Sequence, residues 1–217
     1  GYFAYYVYSV MFVPNTAFNN TEAYIYIKSD ATYNHVRADL EPLLKDIEKF
    51  DALAEQKKYT TNIKAGKYRI KKGMTNNDII NSIRSKNIPI KLSFNNQPSI
   101  ELLAGRVAKQ IEADSLSLLN AMQDQDFLSK NTFTKQTLLG MYLPNSYEFF
   151  WNTSADAFRE RMLKEYNRFW NESRLEKARK IGLDPDKVMT LASIVHEESK
   201  QKSEQPRIAG VYINRLN

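Results

Sequence analysis

The chain has 217 residues, enough for one large domain or two small ones, and its 42% hydrophobic and 26% charged content is that of a globular protein. The absence of cysteine excludes disulfides, thiol nucleophiles and thiolate metal sites. A formal net charge of +6 suits an acidic partner, but the basic residues are scattered among acidic ones rather than gathered into a stripe, which argues against a nucleic acid.

Residues 1–13, GYFAYYVYSVMFV, carry no charged side chain and are rich in tyrosine. A bilayer span needs ~20 apolar residues, so this run is too short to cross. Its tyrosines instead suggest the aromatic belt where a span ends, and the chain begins at Gly1 rather than Met. The reading is the end of a membrane anchor, with a buried helix or strand as the alternative. Residues 14–22, opened by Pro14 and rich in Asn, read as a linker.

Residues 23–27, AYIYI, predict a strand of β-formers. Thr32 then caps a helix carrying Val36, Leu40, Leu43 and Leu44, and a second helical piece runs from Ile47 to Leu53. Gly66 permits a turn into a strand at 67–70. Gly73 turns the chain again, and Thr75 caps a helix with Ile79, Ile80 and Ile83 on one face. This order of elements describes a small α+β module over 23–90. Residues 88–94 predict a third strand, and Ser99 opens a helix with Leu102, Leu103, Val107 and Ile111. A short helix follows at 115–123, then an aromatic loop at 137–153, then helices at 154–170 and 172–181. Gly182 stops the last of these. Asp184 caps a helix that starts with Pro185, and a final helix covers 203–216. The fold class is α+β, with the domain boundary near 86–96 and the second part mostly helical.

The helix after Asp184 carries the strongest chemical signal. Val188, Leu191, Ile194 and Val195 form an apolar stripe, and Glu198 continues it at i+3 and i+4. Glu197 falls on the polar side with Thr190 and Ser193. On that phase Glu198 is expected to be partly desolvated, which favours the protonated carboxyl that a glycosidic leaving group requires. The competing reading is a glutamate emerging into solvent at a helix end. HEESK at 196–200 approaches the zinc motif H-E-x-x-H, but Lys200 stands at the second histidine and His35 is the only other histidine, so no metal site is expected.

LASIVHEES at 191–199, with SEQPRIAGVYINRL at 203–216, resembles the signature of the YceG-like endolytic murein transglycosylases. The positions that match are Ala192, Ser193, Ile194, Val195, Glu198, Glu204, Asn214, Arg215 and Leu216. AGKYRIKKGMT at 65–75 and GMYLPNSYEF at 140–149 resemble two further segments of that family. The resemblance implies a LysM-like module over 23–90, and over 91–217 the N-terminal part of a catalytic domain that in the family continues past N-R-L. It implies Glu198 as the single catalytic acid, cutting the bond between N-acetylmuramic acid and N-acetylglucosamine in peptidoglycan and leaving a 1,6-anhydro end, with no cofactor. It further implies anchoring in the inner membrane as a single-pass protein facing the periplasm, among cell-wall synthesis proteins.

Other residues keep two readings each. Glu204 orients sugar hydroxyls or caps the last helix. Asn214 bonds an N-acetyl group or ties down the helix end. Arg215 pairs with an acid rather than with substrate. Tyr147 and Asn145, placed in a loop, bind substrate or lock the loop to the core. Two other functions compete. One is a pyridoxal phosphate lyase, a label the family has carried, for which no lysine here has an apolar pocket and a phosphate loop. The other is a non-catalytic peptidoglycan-binding scaffold of the cell envelope.

Overall fold

The structure, a computed structural model, describes residues 1–216, with the side chains of all but residues 2, 3 and 216. It is α+β, and the chain divides into two compact units. The first comprises Gly1–Leu92, Gln110–Glu112 and Tyr147–Thr153; the second comprises Ser93–Lys109, Ala113–Ser146 and Ser154–Asn217.

In the first unit, β1 (Glu22–Ile27) pairs antiparallel with β2 (Gly66–Lys71), in a register that sets Ile25 opposite Tyr68 and Ala23 opposite Ile70. Period-two alternation turns Ile25, Ile27, Tyr68 and Ile70 inward. Between the strands run α2 (Tyr33–Leu40) and α3 (Ile47–Gln56), and after them α4 (Asn76–Ser85). Their apolar faces supply Val36, Leu40, Phe50, Leu53, Ile79, Ile80 and Ile83 to one core. Asp46 caps α3 by accepting from the Lys49 N–H at 3.1 Å, and Thr75 caps α4 by accepting from that of Asp78 at 3.2 Å. Gly66 has φ +147°, and a Cβ there would lie 2.4 Å from the Asn87 side chain, so only glycine fits this close approach.

The N-terminal residues are helical. Tyr2–Phe12 form α1, which buries Ser9 and Val10 and exposes Tyr5, Tyr8 and Phe12. Among the described residues no helix is long and apolar enough to cross a membrane. Residues 14–17, read as linker, are tied into the first unit by backbone pairing. Pro14 bridges to Thr75 and Thr16 to Leu44. The physical reason is Asn15, which is buried: its side chain donates to the Asp46 carbonyl (2.8 Å) and to Asn76 Oδ1 (2.7 Å), and accepts from the Asp46 N–H (2.9 Å).

The second sheet pairs β3 (Pro89–Phe94) with β4 (Asn145–Phe150). β4 lies inside the stretch expected to be a loop; Tyr147 and Phe149 point inward while Glu148 and Phe150 stay exposed. The second unit carries the helices α5 (Ile100–Ala108), α6 (Ser115–Met122), α7 (Gln125–Lys130), α8 (Ala155–Phe169), α9 (Glu172–Lys180), α10 (Pro185–Glu198) and α11 (Gln205–Leu216). Its core holds Leu103, Val107, Leu118, Met122, Phe127, Phe158 and Met162. α10 packs on α9, on α11 and on the 3-10 turn Leu138–Met141. At that turn a Cβ on Gly140 would meet Met189 at 3.5 Å, an ordinary contact, so helix and turn lie close together.

Candidate active site

Asp184 and Pro185 start α10 as the sequence suggests, and the Asp184 carboxylate accepts from the Lys187 N–H at 2.9 Å. From that start, Asp186, Thr190, Ser193 and Glu197 fall on one side of the helix, at spacings of four, three and four. All four line a cavity of about 470 Å³. The facing wall carries the amides Asn95, Asn96, Gln97 and Gln136, and Phe94, Leu139 and Tyr142 supply the apolar surface. Burial pushes the Asp186 carboxyl above its ordinary value, and the Asp184 charge adds to the effect. A cavity that mixes amides, hydroxyls, carboxylates and ring surface is chemically suited to a polyol with N-acyl groups.

Glu198 is the last residue of α10. It borders a shallow depression together with Ser193, Ile194 and Glu197. The expected desolvation is not found: Glu198 is exposed, and Ile194 of the same stripe is 38% exposed. Of that stripe only Val195 is buried. Helical phase places a residue on a face, but burial requires another element to cover that face, and among the described residues α11 meets the end of α10 without burying Glu198. Glu198 is instead held by a polar contact, accepting from the Tyr212 hydroxyl of α11 at 3.0 Å. Glu197 pairs with Lys200 at 3.2 Å. Sequence reasoning passed over Tyr212; the signal was its place two residues before Asn214 in the motif.

Glu204 lies in the turn between the two helices. It accepts from Ser199 Oγ at 2.7 Å, and its carbonyl accepts from the Arg207 and Ile208 N–H groups. Ser199 Oγ also accepts from the Gln201 N–H (3.0 Å), and the Ser199 carbonyl accepts from Gln205 Nε2 (3.1 Å). The Glu204 side chain thus ties the turn to Ser199, the residue that ends α10, and makes no bond to an α11 backbone N–H among the described residues. Asn214 is exposed on α11. The side chain of Leu216, the last motif position, lies outside the described residues. Asn145 is exposed and borders an open depression with Arg106, Asn95 and Gln97.

Tyr147, read as a loop residue that binds substrate or locks the loop to the core, does not lie in a loop. It is a strand residue, 8% exposed, with its ring edge-on to Phe149, and it belongs to the first unit while the other four candidates belong to the second. Its inward phase in β4 is the cause. Among the described residues no three of His, Cys, Asp and Glu come together as a metal-binding group.

Known proteins share this chain's sequence and fold. An endolytic murein transglycosylase of Bacillus subtilis (strain 168) is 23% identical over 73% of this chain and 49% of its own length. Its counterpart in Streptococcus pneumoniae (strain D39 / NCTC 7466) is 24% identical over 100% of this chain and 44% of its own length. The chain thus spans about half the length of these curated relatives. The crystal structure of a yceG-like protein of Listeria monocytogenes shares the fold with a TM-score of 0.55 and 21% identity, over 91% of this chain and 71% of that one. Residues 25–217 match the YceG-like family, and the chain belongs to it.

Proposed function

We propose that this chain is part of an endolytic lytic transglycosylase that cuts peptidoglycan glycan strands, with Glu198 as its acid and base. The observation that carries the reading is the run of polar side chains along α10 that lines a sugar-sized cavity, with Glu198, fixed by Tyr212, in an adjoining depression that shares Ser193, Ile194 and Glu197 with it. The names of the two curated relatives support the substrate class. Exposure of Glu198 fits an enzyme that takes a polymer from its side rather than from its end.

In this mechanism Glu198 gives its proton to the glycosidic oxygen as the bond from the muramic acid C1 to that oxygen breaks. The resulting carboxylate takes the proton of the same sugar's 6-hydroxyl, and O6 bonds to C1. A 1,6-anhydro ring forms, Glu198 is protonated again, and no water is consumed. A second catalytic carboxylate, needed by hydrolases of either stereochemistry, has no task here. Asp186, Thr190 and the facing amides would hold the neighbouring sugar. The protein would work at a membrane, facing the periplasm, a placement supported by the exposed Tyr5, Tyr8 and Phe12 of α1.

The test uses the full-length protein and purified peptidoglycan, with products read by mass. Glu198→Gln keeps shape and hydrogen bonding but removes the transferable proton. It is expected to lower release of anhydro-muramic ends by at least ~10²-fold, the scale of general acid catalysis. Glu197→Gln should cost far less. Release by Glu198→Gln near the wild-type rate, or its abolition by Glu197→Gln alone, would refute the assignment.

A further inference from the structure

The cavity along α10 opens on two sides. On the α10 side it shares Ser193, Ile194 and Glu197 with the depression that Glu198 borders. On the facing wall it shares Phe94, Asn95, Gln97 and Pro144 with a second depression, which Arg106 and Asn145 also line. The two shared sets have no residue in common. The three hollows therefore form one groove, with the cavity in the middle, Glu198 at one end and Arg106 at the other.

Charge is spread unevenly along this groove. Glu197 and Glu198 border the first depression, and Asp186 and Glu197 the cavity, with no cation lining either. In the second depression Arg106 is the one charged lining residue. The amides beside it are set as donors. Asn95 Oδ1 accepts from Gln97 Nε2 at 2.7 Å, and Asn145 Oδ1 accepts from the Ser146 N–H at 2.7 Å. These bonds fix which way each amide faces, and neither Nδ2 group has a partner among the described residues. A guanidinium flanked by two amide donors suits a carboxylate.

The chemistry of the polymer supplies a carboxylate at this place. Peptidoglycan alternates N-acetylglucosamine with N-acetylmuramic acid, and only the muramic acid carries a lactyl ether on O3, its carboxyl either free or joined to a stem peptide. With one muramic acid at Glu198, the next sugar, in the cavity, is N-acetylglucosamine, and the one after it is again muramic acid. This holds whichever way the strand runs. The unbranched sugar then meets Asp186 and Glu197, and the branched one meets Arg106.

We propose that the depression around Arg106 binds the muramic acid two sugars from the one that is cut, with Arg106, Asn95 and Asn145 holding the carboxylate of its lactyl or peptide branch. The polymer and the point of cleavage rest on the function proposed above. Arg106 is then a specificity residue: it selects strands that keep negative charge on alternate sugars, and it fixes the register in which they lie over Glu198.

Cleavage is measured with the full-length protein on soluble, uncross-linked glycan strands in three forms. One keeps its peptide stems, one has lost them to an amidase so that the lactyl carboxyl is free, and one has every carboxyl capped as a methylamide. On the form that carries the recognised carboxylate, Arg106→Gln should raise KM about tenfold, the scale of one hydrogen bond between charged groups. It should leave kcat within about twofold, because Arg106 stands at the far end of the groove from Glu198. Arg106→Lys keeps the charge without the planar fork and should recover part of the loss. Capping should raise the wild-type KM by a similar factor and shrink the effect of Arg106→Gln, which a merely structural role would not do. An effect confined to stem-bearing strands assigns the carboxylate to the peptide; one that persists after amidase treatment assigns it to the lactyl group. An Arg106→Gln penalty that is undiminished on capped strands, or that falls on kcat alone, overturns the proposal. A wild type that cuts no form refutes the enzymatic reading and this one with it. A wild type that cuts the charged forms while Arg106→Gln changes nothing refutes this one alone.

Discussion

Tyr212 of α11 donates its hydroxyl proton to Oε1 of Glu198, the last residue of α10, at 3.0 Å. The bond fixes the rotamer of an exposed carboxylate and leaves Oε2 without a partner among the described residues. Its hydrogen bond to Glu198, reinforced by that group's charge, raises the Tyr212 phenol above its ordinary value, so the phenol remains a donor at any physiological pH. An exposed side chain at a helix end otherwise samples several rotamers, and a catalytic group loses rate for each unproductive one.

On the function proposed above, Tyr212→Phe in the full-length protein should lower kcat about tenfold, the scale of one hydrogen bond to a charged group, and leave KM nearly unchanged. Steady-state kinetics on purified glycan strands separates the two constants. A change confined to KM would mean that Tyr212 touches substrate instead of holding Glu198.

Asn76 is fully buried at the start of α4, where its side chain donates to the Val10 carbonyl at 2.9 Å and accepts from Asn15 Nδ2 at 2.7 Å. It ties α1 and the segment after it to the core of the first unit. Asn76→Leu would leave the Val10 carbonyl and one Asn15 proton unpaired away from water, each costing ~1–3 kcal/mol. The variant should lose about 2–4 kcal/mol in urea unfolding followed by circular dichroism. The double variant Asn15→Ala, Asn76→Leu should lose less than the sum of its parts, because the two residues share a bond. Strict additivity would show that the network is not coupled.

Local signals explain what could be read in advance. Caps at Thr75, Ser99 and Asp184, the positive φ of Gly182 and the apolar spacing of Ile79, Ile80 and Ile83 are properties of a few neighbouring residues, and the structure displays them. What escaped is non-local. β4 hides in an aromatic stretch because Phe150 breaks the polar side of its alternation, and a strand of that kind is recognisable only beside β3. Gln110–Glu112 and Tyr147–Thr153 belong to the first unit through contacts such as the Ser29 hydroxyl donating to Glu112 at 2.7 Å, and no sequence window contains both residues. At the site, helical phase distinguished Glu197 from Glu198 but not their burial: both are exposed, and the polar side assigned to Thr190 and Ser193 turned out to line the cavity. Whether a helix face meets solvent, a cavity or a neighbour is decided by packing partners far along the chain.

The two aspartates at the start of α10 should give opposite pH dependences. Asp184 accepts the Lys187 N–H, and that bond holds its carboxyl below the ordinary carboxylate value. Its contribution to stability is thus fully present above the unfolded-state value of ~3.9 and is lost as pH falls through the lower folded value. Asp186, two residues on, is raised, first by burial and then by the charge of Asp184. Its contribution is present below the unfolded value and is lost as pH rises through the folded one, so at neutral pH its charge is a liability. Asp184→Ala should cost about 1 kcal/mol near pH 7, the usual loss for a removed N-cap, and the difference from wild type should narrow as pH drops below ~4. Asp186→Asn should stabilise modestly at pH 7 and have no such benefit at pH 3, since the wild-type group is then neutral. Its gain is partly offset by loss of a favourable charge in the first helical turn, worth ~0.3–1 kcal/mol. Urea unfolding of each variant at pH 7, 5 and 3 measures all of these differences on one scale. An Asp184→Ala penalty as large at pH 3 as at pH 7 would mean that the neutral carboxyl caps equally well. A loss on Asp186→Asn at pH 7 would show that the helix-start charge outweighs burial at the cavity wall, and that Asp186 sits there ionised at no net cost.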